Sequence, residues 1–224
     1  MENIKLDLPG QNDFFTEEAY KVLRTNLQFC GQDVKVILIT SCNENEGKST
    51  VSLHLGKSFA ELGKKVLVID ADMRKSVMAG RNTSVHRPCG LSEVLTGLRN
   101  LSDCIYPVFE SNMNILFSGQ YPPNPVELLN GKYFNALIEE SRKLYDYIII
   151  DTPPLGQVID AAVIAKSCDG AVLVLGDPKI HYKDAQNVVE TINKSGCRML
   201  GVVRNSQRKT DRKAYYKKYY RHDK

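Results

Sequence analysis

Residues 44–50 read ENEGKST, and Gly47, Lys48, Ser49 and Thr50 form the closing half of a phosphate-binding loop. Such a loop works because successive backbone N–H groups and a helix amino terminus surround an anion. A lysine adds positive charge, and a serine or threonine hydroxyl offers a ligand to magnesium. The glycine that usually opens the spacing G-x-x-x-x-G-K-[ST] would fall at Cys42 and is missing. Asn45 is one of the few non-glycine residues that visit positive φ readily, so NENEG can turn around a phosphate. Asn45 and Glu46 are therefore counted with Gly47 to Thr50 as nucleotide-contacting residues, on condition that the carboxylates of Glu44 and Glu46 point away or meet a cation. Alone, the stretch also reads as a strand-to-helix turn with a solvated lysine.

Three carboxylates favour the phosphate site. Asp70 and Asp72 close the run KKVLVIDAD, and both can approach one crevice only if the strand gives way to loop at Ala71, because extended residues two apart lie nearly 7 Å from each other. Asp151 ends the run Tyr147 to Ile150, and Thr152-Pro153-Pro154 stops the strand there. Together with Ser49 these groups suit Mg²⁺ bridging the terminal phosphates of ATP. Asp70 is expected to serve as general base or to orient the acceptor, with Asp72 and Asp151 supporting the metal; the sequence allows these roles to be exchanged. The bland alternative is that each Asp caps a following helix or turn. Arg74 either reaches a transferred phosphate or is a surface arginine, and Asn205 either hydrogen-bonds a nucleotide base or forms a turn.

These residues need a scaffold that collects strand ends. TEEAYKVLRTNLQF (16–29) has helical spacing of Ala19, Tyr20, Leu23 and Leu27, with Thr16 placed to cap it. VKVILITS (34–41) reads as a buried strand, GKSTVSLHLGKSFAELG as a loop feeding a helix, and Val66 to Ile69 as an apolar run for a sheet covered on both faces. A short helix near SEVLTGL, a strand near NMNILFSG, helical segments from VELLNGKYF onward, the strand YIIID, then helix, strand, helix and the final strand CRMLGVVRN continue the alternation. The expected fold is α/β, a mostly parallel central sheet flanked by helices in the manner of P-loop nucleoside triphosphatases, with the site beyond the carboxyl ends of the strands.

The 224 residues suit one domain that buries roughly two-thirds of its unfolded surface. Residues 1–206 are read as that domain and 207–224 as a flexible tail. The start MENIKLDLPG has neither the basic segment nor the apolar stretch of a secretory signal, so a cytoplasmic protein is expected. Six scattered cysteines without a Cys-x-x-Cys pair read as unpaired thiols in a reducing compartment, with no disulfide framework or zinc site. The tail carries eight Lys or Arg against two Asp, a net +6, so the preceding 206 residues hold −2 of the chain's +4. Tyr215, Tyr216, Tyr219 and Tyr220 stand among those cations as accessible phosphoacceptors. Two other readings stay open on composition: an anion-binding arm for nucleic acid or lipid headgroups, and a final helix packed on the body.

The same segments, EEAYKVLRTNLQF, EGKST, KKVLVIDADMRKS, YPPNPVELL, YDYIIIDTPP, DAAVIAKSCDGAVLV, GVVRN and the closing tyrosines, resemble the bacterial tyrosine kinases of the capsule and exopolysaccharide type. No His-Arg-Asp or Asp-Phe-Gly set of a eukaryotic-type kinase is present. The resemblance implies ATP with Mg²⁺ on Gly47, Lys48, Ser49 and Thr50, Asp70 and Asp72 in a second nucleotide motif, and Asp151 in a third. It also implies autophosphorylation of the tail tyrosines between subunits and regulation of polysaccharide synthesis and export. Self-association would run through the tail and through Glu18, Lys21 and Arg24, where the family's motif is Glu-x-x-Arg-x-x-Arg. A membrane-embedded chain-length regulator as activator, a tyrosine phosphatase, recruitment to the inner face of the plasma membrane and no nucleic-acid partner complete the expectation. The family usually has Pro-Gly at Glu44-Asn45 and Leu at Arg204. The competing function is a P-loop ATPase acting as a nucleotide-dependent positioning or scaffolding protein.

Overall fold

The computed structural model describes residues 3–10, 13–81, 85–86, 88–176 and 180–205. In chain order the elements are α1 (Phe14–Phe29), β1 (Val36–Ser41), α2 (Lys48–Ala60), β2 (Val66–Asp70), a 3-10 turn (Ala79–Arg81), α3 (Leu91–Leu95), α4 (Leu101–Cys104), β3 (Ile105–Pro107), β4 (Met113–Leu116), α5 (Pro125–Leu129), α6 (Lys132–Leu144), β5 (Tyr147–Asp151), α7 (Asp160–Ala165), β6 (Gly170–Leu175), α8 (Tyr182–Lys194) and β7 (Arg198–Arg204). The seven strands form one sheet in the order β3-β4-β2-β5-β1-β6-β7. All neighbours are parallel except β3 on β4.

The continuous apolar strands are explained by burial on both faces. Leu67, Ile69, Ile148 and Ile150 pack with Phe134 and Ile138 of α6, Ile164 of α7 and Ile192 of α8. Their neighbours Val66, Val68 and Ile149 face the other way, onto Leu27 of α1 and Val51, Leu55 and Phe59 of α2. Phe59 stacks on Tyr147 with ring centroids 3.8 Å apart, and truncating such a buried ring to Ala costs about 3–5 kcal/mol. Gly56 lets α2 lie close on the sheet, because a Cβ there would come 2.8 Å from both Val68 Cγ2 and Met113 Sδ. The helix carrying the lysine is thereby held at a fixed height over the central strands.

Two local expectations change. Asp13, not Thr16, caps α1: its carboxylate accepts from the Thr16 amide at 3.0 Å and from the Thr16 hydroxyl at 2.7 Å. The helix therefore begins at Phe14, and Thr16 is three residues inside it, where its hydroxyl steadies the capping carboxylate. The antiparallel strand β3, only three residues long and ending in proline, was not expected; the proline suits its place at the sheet edge. Among the described residues no helix is long and apolar enough to cross a membrane. The tail expectation for 207–224, including Tyr215, Tyr216, Tyr219 and Tyr220, lies outside the described residues.

Candidate nucleotide and phosphoryl-transfer site

The turn between β1 and α2 gets its shape from two positions in the left-handed region, Asn45 at φ 60° and Gly47 at φ 88°. Position 42 needs no such freedom: Cys42 does not lie in the left-handed region, and its side chain is buried in the core. Gly47 is required twice over, for its φ and because a Cβ would meet the Asn205 side chain. Asn205, just beyond β7, donates its amide to the Glu46 carbonyl at 2.9 Å. It braces the loop instead of standing on the cavity wall. The Glu46 carboxylate is buried and accepts from the backbone amides of Asn43, at 2.8 Å, and Gly176, at 3.1 Å. Glu44 pairs with Lys75 at 2.6 Å. Both glutamates are thus accounted for within the protein, and Glu46 has only its backbone to offer a phosphate.

Lys48 opens α2 and Ser49 and Thr50 follow it, so an anion here meets the positive end of the helix as well as the ammonium. A cavity of about 380 Å³ lies over this end, walled by the loop, Asp72 and Arg74 from the segment after β2, Arg81, and Pro153, Pro154 and Gln157 after β5. Asp70 and Asp151 are register partners across β2 and β5, and both are buried. The strand ends at Asp70, and Asp72 reaches the cavity wall from the loop that follows. Lys48, Asp70, Asp72 and Asp151 therefore meet at one edge of the sheet.

Among the described residues neither Asp70 nor Asp151 makes an ion pair. Burial, then the charge of Asp151, pushes the Asp70 carboxyl well above its usual range, against the opposing hydrogen bonds from Ser76 and the Asp72 amide. Asp151 is pushed up to about 6 by burial, although hydrogen bonds from Ser49 and Ser52 and the charge of Lys48 pull it down. Two buried carboxylates side by side are stabilised by a divalent ion. Among the described residues no group of three His, Cys, Asp or Glu forms a protein-only metal cage. Magnesium takes one or two protein oxygens and fills its other positions with water and phosphate. The donor set of Ser49, Asp72 and Asp151 fits such an ion.

Arg74 is neither free nor a plain surface side chain. Its guanidinium is bidentate to Asp160, at 2.8 and 3.1 Å, and Asp160 is fully buried at the first residue of α7. Sequence reasoning missed Asp160, as it missed Ser52, Ser76 and Arg81. Nothing local marks them, although Ser52, one helical turn after Lys48, carries a recoverable spacing. The oligomerisation candidates lie elsewhere, on α1. Glu18 and Lys21 pair with each other at 2.7 Å, and Arg24 donates to the Ser58 carbonyl of α2 at 2.6 Å. Arg204 is exposed at the end of the edge strand β7.

Residues 34–199 match the family model described as an AAA domain. The chain is 44% identical over 190 residues to the tyrosine-protein kinase CpsD of Streptococcus agalactiae, covering 85% of this chain and 83% of that protein. Its fold superimposes on the kinase domain of the Escherichia coli tyrosine kinase ETK with a TM-score of 0.79 at 32% identity, over 86% of this chain and 76% of that one. The cell division ATPase MinD of Pyrococcus furiosus shares the fold more distantly, with a TM-score of 0.66 at 27% identity over 80% of this chain and 74% of that one. With such identity spread over most of both chains, the lysine-and-carboxylate edge belongs to a known lineage: the chain is a member of the bacterial tyrosine kinases of the capsule and exopolysaccharide type, protein-tyrosine kinases built on a P-loop ATPase fold.

Proposed function

We propose that the chain transfers the γ-phosphoryl group of ATP to its own C-terminal tyrosines, Tyr215, Tyr216, Tyr219 and Tyr220, one subunit presenting its tail to the next. The observation that carries this reading is the meeting of Lys48 at the α2 amino terminus with two buried, cation-poor carboxylates, Asp70 and Asp151, beside the cavity that Asp72 walls. Lys48 and the backbone amides of residues 45–50 hold and orient the phosphates. Asp70, whose burial raises its proton affinity, takes the phenolic proton as the phenol oxygen bonds phosphorus and the bond to the β-phosphate oxygen breaks. Magnesium, held by Ser49 with Asp72 and Asp151 in support, would draw negative charge off the phosphate oxygens.

The tail's charge makes modification a switch. Four phosphotyrosines add about −6 to −8 at neutral pH, enough to cancel or reverse a tail of net +6. Unmodified tails dock on the acidic edge of a neighbouring subunit, and modified ones leave it. Self-association also uses α1 through Glu18, Lys21 and Arg24. A membrane-embedded chain-length regulator recruits and activates the kinase at the inner face of the plasma membrane, a tyrosine phosphatase resets it, and the cycle governs capsular or extracellular polysaccharide synthesis. Nucleic acid has no part in it.

The test is incubation of purified protein with Mg-ATP, with and without the cytoplasmic segment of its membrane partner, followed by phosphotyrosine mapping. Phosphate on the 215–220 cluster, increased by the partner segment, is the expected result. Release of inorganic phosphate with none on tyrosine would instead favour the positioning ATPase that the likeness to MinD offers as the second reading.

A further inference from the structure

Four cations wall the cavity: Lys48, Arg74, Lys75 and Arg81. Two are neutralised inside the protein, Arg74 by Asp160 and Lys75 by Glu44. Among the described residues Lys48 and Arg81 make no ion pair. Lys48 has its role in the loop motif, which leaves Arg81 as a cation without an assignment.

Its position is held by backbone and side chain together. Arg81 closes the 3-10 turn after β2, donating its amide to the Met78 carbonyl at 3.0 Å and accepting from the Asp7 amide at 3.0 Å. Its Nη2 donates to Thr50 Oγ1 at 2.9 Å. Its Nη1 is buried and, among the described residues, has no hydrogen-bond partner. A buried guanidinium nitrogen without an acceptor is costly, and buried donors in folded proteins are nearly always paired. The setting adds a second cost, because Thr50 is the third residue of α2 and a cation beside a helix amino terminus opposes the helix dipole. An anion between Arg81 and the helix end removes both costs at once.

We propose that Arg81 is a nucleotide-binding residue that grips the phosphates which remain on the nucleotide, the α- and β-phosphates. Lys48 and Ser49 serve the end that is transferred and its metal. Arg81 is fastened one residue further along the helix, to Thr50, and approaches from the segment after β2; its Nη1, buried without nucleotide, would turn toward the cavity to donate to the phosphate. It acts on ground-state binding, equally for ATP and ADP, and not on the transfer step. The inference rests on the phosphate-site reading above.

The experiment measures Mg-ADP and Mg-ATP affinity by calorimetry, KM and kcat for autophosphorylation, and the melting temperature without nucleotide, for wild type, Arg81→Gln and Arg81→Lys. Arg81→Gln should weaken both nucleotides by about tenfold and in the same proportion, as expected for one charge-assisted contact. KM for ATP should rise with kcat nearly unchanged, and the nucleotide-free protein should melt no lower than wild type, since the variant sheds an unpaired buried charge. Arg81→Lys should recover part of the affinity. Unchanged Mg-ADP affinity in a folded Arg81→Gln protein overturns the inference. So does a loss confined to ATP, or a fall in nucleotide-free melting temperature that shows the Thr50 contact to be structural. These outcomes leave the phosphate site standing, whereas wild-type protein that binds neither nucleotide overturns the site reading and this inference with it.

Discussion

The two ends of one sheet treat the same residue type in opposite ways. At the amino end, Asp169 precedes β6 and accepts from the Lys35 and Val36 amides at 2.8 and 2.7 Å and from both Arg142 Nη atoms at 2.9 and 2.8 Å. Burial alone would raise its carboxyl, but the Arg142 hydrogen bonds and the two amides outweigh it and the group is held below the usual range. At the carboxyl end, Asp70 and Asp151 lie buried side by side with hydroxyl and amide donors and no arginine, and both are raised. One end is finished by the chain itself. The other leaves two neighbouring carboxylates without an ion pair among the described residues.

Exchanging charge for an isosteric amide should therefore separate the two ends most sharply. Asp70→Asn is expected to cut the phosphorylation rate by about 10²–10⁴-fold, the range for loss of a positioned proton acceptor. The same change should raise the melting temperature of the nucleotide-free protein, since it removes a carboxylate that burial and the charge of Asp151 disfavour. Radiolabel transfer and calorimetric melting check the pair. A variant that loses both activity and stability would place Asp70 with Asp169 as a structural carboxylate.

Asp169→Asn should do the reverse. Losing the charge on this partly exposed pair with Arg142 is expected to cost about 1–2 kcal/mol, measured by urea unfolding, with Mg-ADP affinity unchanged. A change in nucleotide affinity would mean that the ends are coupled through the strands, and the contrast would fail.

Acid should address the ends one at a time. For Asp151, a folded pKa near 6 above an unfolded value near 3.8 means that the folded state holds the proton more tightly. Its contribution to stability is greatest below the unfolded pKa and is lost as pH rises through about 6. Asp169, depressed, contributes above its unfolded pKa and loses that contribution only as pH falls further, through its folded pKa. Between pH 7 and 5 the difference in melting temperature between wild type and Asp151→Asn should accordingly shift in favour of wild type, while that between wild type and Asp169→Asn stays flat. Parallel curves for all three proteins would remove the electrostatic distinction.

Asp70 and Asp151 were legible because each ends a run that advertises burial. Val66 to Ile69 and Tyr147 to Ile150 can only be inner strands, so Asp70 and Asp151 had to emerge at their carboxyl ends. Their three-dimensional supports left no such trace. Asp160 looks like the start of any helix, yet it is the buried counter-charge of Arg74, 86 residues away. Arg81 lies in a segment without periodicity, and its meeting with Thr50 depends on how the chain returns after β2. The Thr16 cap failed by a single turn, since Asp13 and Thr16 are both good caps and nothing local in the sequence decides between them.

The smallest expected effect concerns the turn at Asn45. Asn45 must supply the left-handed conformation that glycine adopts most readily, and its φ of 60° says that it does. Asn tolerates this region better than other residues with a β-carbon, and an ordinary side chain there costs about 1–2 kcal/mol. Asn45→Gly should therefore bind Mg-ADP as wild type does, whereas Asn45→Ala should bind it less tightly by up to about tenfold, since loop strain is relieved by opening the turn that holds the phosphates. Lys75→Met removes the Glu44 pairing without touching φ and should leave affinity within about twofold, because that pair is exposed. Equal affinities for the Gly and Ala variants would show that the loop is shaped by Glu46 and Asn205 alone, and that the backbone angle at position 45 follows from their grip.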